Sequence, residues 1–129
     1  MNERTITSVD YRKPEVISVG LGHAVLVLYD GAIEFASEAR SHLIAGELRK
    51  ALTCRGKLLN VLSALLSSLR FDADLVQANG FWLIYDHLSR LARKAEIERG
   101  DSSSFDEVLR IMGQLRASWS SALSQQATA

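Results

Sequence analysis

One cysteine, one proline and a formal net charge of zero exclude several classes of protein before any motif is read. Cys54 alone cannot form an internal disulfide, which suits a reducing compartment. Pro14 is the only proline and turn clusters are few, which speaks against an all-β chain. Lys+Arg number 15 and Asp+Glu number 15, leaving no electrostatic footprint for nucleic acid. The polar start MNERTITSVDYRK lacks the apolar core of a secretory signal. The uncharged run Leu58–Leu69 is 12 residues, short of the ~20 that a spanning helix needs, so no direct membrane insertion is expected. No internal repeat is evident. The expectation is a soluble, cytoplasmic single domain over residues 1–129, with 1–20 an N-terminal segment and 124–129 a frayed tail.

What is present is a conflict of periods. Ala24 to Phe35 reads AVLVLYDGAIEF, and Asp-Gly between apolar runs is a hairpin signal. The same stretch carries apolar residues at 25, 28, 32, 36, 39 and 43, steps of three or four over five turns. A hairpin explains only the first half of that stripe, and an isolated hairpin is marginal in water. The spacing therefore predicts a helix, with Gly31 inside it at a cost of about 1 kcal/mol relative to Ala. That cost suggests a close approach by another helix or a ligand at Gly31. Gly46 closes this helix as its C′ residue.

Three more helices follow. One runs from about Glu47 to Leu69 with Leu48, Leu52, Leu58, Leu62, Leu65 and Leu69 on one face. The next opens at Asp74, whose spacing to Gln77 resembles a capping box, and extends to about Arg99. Its stripe is Ala78, Phe81 or Trp82, Tyr85, Leu88, Ala92 and Ala95. The last is capped by Ser104-x-x-Glu107 and carries apolar residues at 105, 108, 112, 115, 119 and 122. Alternation of three and four is the spacing of antiparallel bundles. The fold class is all-α: an antiparallel four-helix bundle with an additional short N-terminal helix or segment around Ile6 to Tyr11, limited by Pro14.

Two runs, Ala24–Tyr29 and Phe81–Tyr85, are apolar on every face and need cover on more than one side. Either they are core packed under residues 1–20, or they line a groove that accepts an amphipathic helix. Catalytic signals are weak. His23, His42 and His87 have no metal-ligand spacing, Cys54 reads as a small core residue, and Gly20-Leu21-Gly22 lacks the strand and third glycine of a phosphate loop. Nothing assembles a nucleophile, a base and an orienting group, and no cofactor or metal is expected. His42-Leu43-Ile44-Ala45-Gly46 faintly echoes a histidine phosphotransfer run but lacks the lysine beside it.

Leu28-Tyr29-Asp30-Gly31-Ala32-Ile33, Ile84-Tyr85-Asp86 and Leu115-Arg116-x-x-Trp119 together resemble the flagellin-specific export chaperone family, the FliS type. That family carries an LYDGAI-like run, then an LYDY-like run, then LRxxW, in that order. Tyr11 stands at a family-like position with 17 residues between it and Tyr29. Departures are Ser18-Val19-Gly20-Leu21 in place of a Thr-Ala-Ser-Pro-like start, Gly80-Phe81 in place of Asn-Leu, and His87 in place of the second tyrosine.

The resemblance implies a chaperone without enzymatic activity in the bacterial cytosol. Its client is the C-terminal amphipathic segment of flagellin, kept from early polymerisation and delivered to a flagellar type III export gate component. Leu26, Tyr29, Ile33, Trp82, Tyr85 and Leu88 are the expected groove residues. Ile6, Val9 and Tyr11 are expected to cover that groove when it is empty. Asp30 and Asp86 are expected to fix helix register, and Trp119 and Leu115 to lie in the core. The apolar helices also allow a homodimer without client. Two other readings stay open: a helical interaction module with another client, and a phosphotransfer bundle using His42.

Overall fold

A computed structural model of the chain describes residues 19–72 and 74–128. Helices α1 (Val19–Ile44), α2 (Leu48–Ser67), α3 (Leu75–Lys94) and α4 (Ser103–Thr128) account for most of them, with a 3-10 turn at Ile97–Arg99 between α3 and α4. No strand occurs among the described residues. Asp30 and Gly31 lie within α1, so the helical period prevails over the hairpin dipeptide. The expected N-terminal helix, with Ile6, Val9 and Tyr11, lies outside the described residues.

Short links make successive helices antiparallel neighbours. α1 packs against α2 and α4, and α3 packs against the same two, so α1 and α3 occupy opposite corners. α1 is the most heavily packed helix. Its inward residues Ala32, Ala36 and Ala39 are fully buried and small, which lets both neighbours come near. The buried stripe of α4 is the expected one: Phe105, Val108, Met112, Leu115, Trp119 and Ala122. α3 buries Ala78, Phe81, Tyr85, Leu88 and Ala92, with Ala95 buried just past its end, choosing Phe81 and leaving Trp82 outside. These side chains join those of α1 and α2 in one continuous core.

The helix ends follow from local chemistry. At the end of α1, Gly46 adopts φ 79°, its N–H donates to Leu43 O, and Glu47 N–H donates to His42 O at 2.8 Å. Those two bonds make a Schellman motif, which uses carbonyls that the helix leaves over. Asp74 caps α3 by accepting from Gln77 N–H at 3.1 Å.

Several boundaries differ from the sequence reading. The start of α4 is not capped by Ser104 and Glu107. Asp101 Oδ1 accepts from Ser103 N–H at 2.9 Å, and Glu107 pairs with Arg110 instead. α3 stops at Lys94 rather than Arg99, because Ala95 leaves the helical region at ψ 128° and the chain turns to bury Ile97. The Arg55 guanidinium from α2 donates to the freed carbonyls of Arg93 and Ala95 at 3.4 Å each. On α2 the buried row is Ala51, Cys54, Leu58, Leu62 and Leu65, whereas Leu48 and Leu52 are exposed beside the Ala95–Arg99 turn. α4 continues to Thr128, past the fraying expected from residue 124. At Gly31 an added Cβ would meet only Val61 Cγ2, at 3.8 Å, so no close approach demands glycine there.

Candidate functional site

The three tracts that carry the sequence resemblance converge inside one half of the bundle. Tyr29 on α1 and Tyr85 on α3 reach across the diagonal, and their hydroxyls hydrogen-bond at 2.7 Å. Trp119 on α4 stands edge-on to Tyr29 (centroids 6.0 Å, 71°) and to Phe81 (5.6 Å, 72°). Its indole Nε1–H donates to Gly22 O at 2.8 Å, tying the last helix to the start of the first. Buried tyrosine and tryptophan need such partners for their polar atoms, and edge-on rings gain beyond the area they bury. Outside this cluster, the Arg116 guanidinium of α4 donates to the Asp30 carboxylate of α1. Asp30 thus bridges two helices as expected. Asp86 does not: it accepts from Arg90 Nε at 2.8 Å on its own helix.

This geometry corrects the expected groove. Tyr29, Tyr85 and Leu88 are at most 2% exposed and belong to the core. Leu26 and Ile33 are half-buried on a row, 26-30-33-37-40, whose Asp30 and Arg40 both reach α4. They therefore sit in the α1–α4 seam. Trp82, 40% exposed, is on the outer face of α3, on the opposite corner from α1. The six residues do not share one surface.

Besides Ile44, Leu48 and Leu52 around the α1–α2 turn, the described residues leave apolar side chains uncovered on the first half of α3. Leu75, Val76, Trp82 and Leu83 are exposed there, with Phe71 just before the helix. Sequence reasoning singles out Trp82 and misses the other three on the helix. The signal is available: Leu75, Val76 and Leu83 are out of step with the buried positions 78, 81 and 85, so they fall on the far side of a helix. Val27 is the exposed member of the apolar run on α1.

The remaining candidates for chemistry are quiet. Burial and the nearby Glu38 carboxylate push the Cys54 thiol up, away from the thiolate. His42 Nδ1 lies 2.7 Å from Glu47 Oε1, a negative neighbour that disfavours a phosphoryl group on that ring. No cluster of three or more metal-ligating side chains occurs among the described residues. No helix among the described residues is long and apolar enough to cross a membrane. Gly20-Leu21-Gly22 is helical, not a phosphate loop.

Compared with known families, residues 5–126 match the model of the flagellar protein FliS. The chain belongs to the FliS family. This is a family of chaperones in flagellum biogenesis, and the match spans nearly the whole described bundle. No curated protein matches the chain. In this FliS-family chain the motif residues Tyr29, Tyr85 and Trp119 face one another rather than solvent, so the motifs specify how the bundle closes.

Proposed function

We propose that this FliS-family protein is a cytosolic export chaperone. It binds the C-terminal amphipathic segment of newly made flagellin, prevents early polymerisation, and aids delivery to the flagellar type III export apparatus. The observation that carries the reading is the uncovered apolar face of α3 around Trp82, mounted on a bundle closed from within by Tyr29, Tyr85 and Trp119. An exposed apolar patch on a stable helix is the surface that an amphipathic partner helix covers.

The mechanism is reversible concealment. A flagellin segment that is unstructured as a monomer would self-associate through its apolar stripe. Laid against Leu75, Val76, Trp82 and Leu83, that stripe is hidden, and each large side chain buried contributes roughly 1.5–3 kcal/mol. Ordering the segment costs about 2–5 kcal/mol, which keeps the complex releasable. Leu26 and Ile33 form a separate half-buried strip in the α1–α4 seam, which a client wrapping round the bundle covers with a second segment. Tyr85 and Leu88 support α3 from beneath. No step requires catalysis, a metal or a cofactor.

Calorimetric titration with a peptide of the last roughly 40 residues of the host's flagellin tests the reading, since that length covers an amphipathic helix and its flanks. The expected result is saturable binding that Trp82→Ala weakens more than about tenfold, as for a central interface tryptophan. Absence of binding at about tens of micromolar, near −6 kcal/mol, would assign the surface to a different client.

A further inference from the structure

The outer face of α3 changes character along its length. Leu75, Asn79, Trp82, Asp86, Arg90 and Arg93 follow one another in steps of four and three, so they form a single row about 27 Å long. The first half of that row is uncharged, and the exposed Val76 and Leu83 beside it make this end of the helix the apolar one. The second half is cationic, and Lys94 stands next to Arg93 in the last turn. Arg90 is committed to Asp86. Among the described residues, no carboxylate pairs with Arg93 or Lys94. These two, with His87, Arg90 and Leu91, line an open depression of about 540 Å³. In a chain whose formal charge is zero, the described residues thus present two cations without a carboxylate partner at one end of this apolar face.

Resting on the client reading above, we propose that α3 reads its client directionally. The apolar half grips the stripe, and Arg93 and Lys94 pair with carboxylates that the client carries roughly three to five helical turns further along. The occupant is therefore an amphipathic flagellin segment with an apolar end and an acidic end. A segment laid the other way round would set its carboxylates against Leu75, Val76 and Trp82 and leave the cations unpaired. Exposed cations beside α3's carbonyl end also favour the helix dipole, so stability alone cannot distinguish the roles.

The test uses the full chain and the flagellin C-terminal peptide, titrated in about 50 mM and about 300 mM NaCl, where screening differs strongly. The wild type is expected to lose affinity with salt. The double variant R93Q/K94Q is expected to bind about fivefold more weakly at low salt, as for two exposed pairs, and to lose most of the salt dependence. Replacing the peptide's acidic residues by their amides should weaken wild-type binding to the same extent and leave the double variant unchanged. Thermal unfolding of R93Q/K94Q checks that the bundle is intact. Equal affinity and equal salt dependence in wild type and R93Q/K94Q would overturn the directional reading while leaving the client reading in place. A wild type that does not bind the peptide at all would overturn both.

Discussion

α1 and α3 begin from nearly the same letters and end in different places. Each carries a hydrophobic residue, a tyrosine and an aspartate in sequence, Leu28-Tyr29-Asp30 and Ile84-Tyr85-Asp86, inside a run that is apolar all round. Their tyrosines meet head to head across the core. Their aspartates part company: Asp30 reaches Arg116 on α4, and Asp86 stays with Arg90 on α3. The apolar excess is also treated differently. α1 packs heavily against two neighbours and leaves Val27 and its last residue, Ile44, outside, whereas α3 packs more thinly and leaves Leu75, Val76, Trp82 and Leu83 exposed. Both runs bury one side, but α3 adds the exposed Leu75 and Val76 to the open side of its run. Neighbours, not letters, decide.

The two tryptophans sharpen this contrast most. Trp119 is 3% exposed and bonded to Gly22 O, so Trp119→Ala should lower unfolding free energy by about 3–5 kcal/mol in urea denaturation. Trp82→Ala should change stability by less than about 1 kcal/mol, because its side chain lies on the outer face and its removal leaves no enclosed cavity. Equal losses at the two sites would break the distinction between core and surface.

The tyrosine pair comes next. Tyr29→Phe or Tyr85→Phe should each cost about 1–2 kcal/mol, since each removes one member of a buried hydroxyl pair. The double substitution should cost less than the sum by about 0.5 kcal/mol or more, the signature of direct coupling. Additive losses would mean that the hydroxyls do not depend on each other. Gly31→Ala should raise stability by about 1 kcal/mol, because a methyl there meets only Val61 at an ordinary contact distance. A loss on that substitution would show that something must approach Gly31 closely.

The smallest effects are electrostatic. The Glu47 carboxyl is held below its ordinary 4.5 by its hydrogen bond with His42 and by Lys50. Glu107 is held down by Arg110, and Asp101 by the Ser103 backbone N–H. A carboxyl whose folded pKa is depressed adds stability that is present above its unfolded value and is lost as pH falls through the folded one. Urea midpoints should therefore hold steady above pH 4.5 and slip below it, less so in Glu47→Gln. Loss of stability in the opposite direction, on raising pH through that range, would contradict these assignments.

Much of the fold is legible in the chain because helical periodicity is a strong signal over long segments. The α4 stripe from Phe105 to Ala122 and the cap at Asp74 need no structure to find. The choice between Phe81 and Trp82 does, since both fit one stripe within a helix turn, and only the corner that α3 occupies decides it. The end of α3 falls short of the sequence reading because Ala95 extends the pattern while the buried Ile97 requires the chain to turn. Tyr29, Tyr85 and Leu88 lie in the core rather than a groove for a related reason: an apolar run marks burial without saying whether neighbour or partner supplies it. Leu75, Val76 and Leu83, outward on the thinly packed corner, are the part of the surface that only three-dimensional placement singles out.

The most direct test of the α3 surface is acrylamide quenching of tryptophan emission with and without the flagellin C-terminal peptide. Trp119 is already shielded and Trp82 is 40% exposed, so accessible emission comes from Trp82. Saturating peptide is expected to blue-shift that emission and remove most of the quenching. Peptide that binds by calorimetry while Trp82 stays as accessible as before would place the client elsewhere on the bundle and contradict the account.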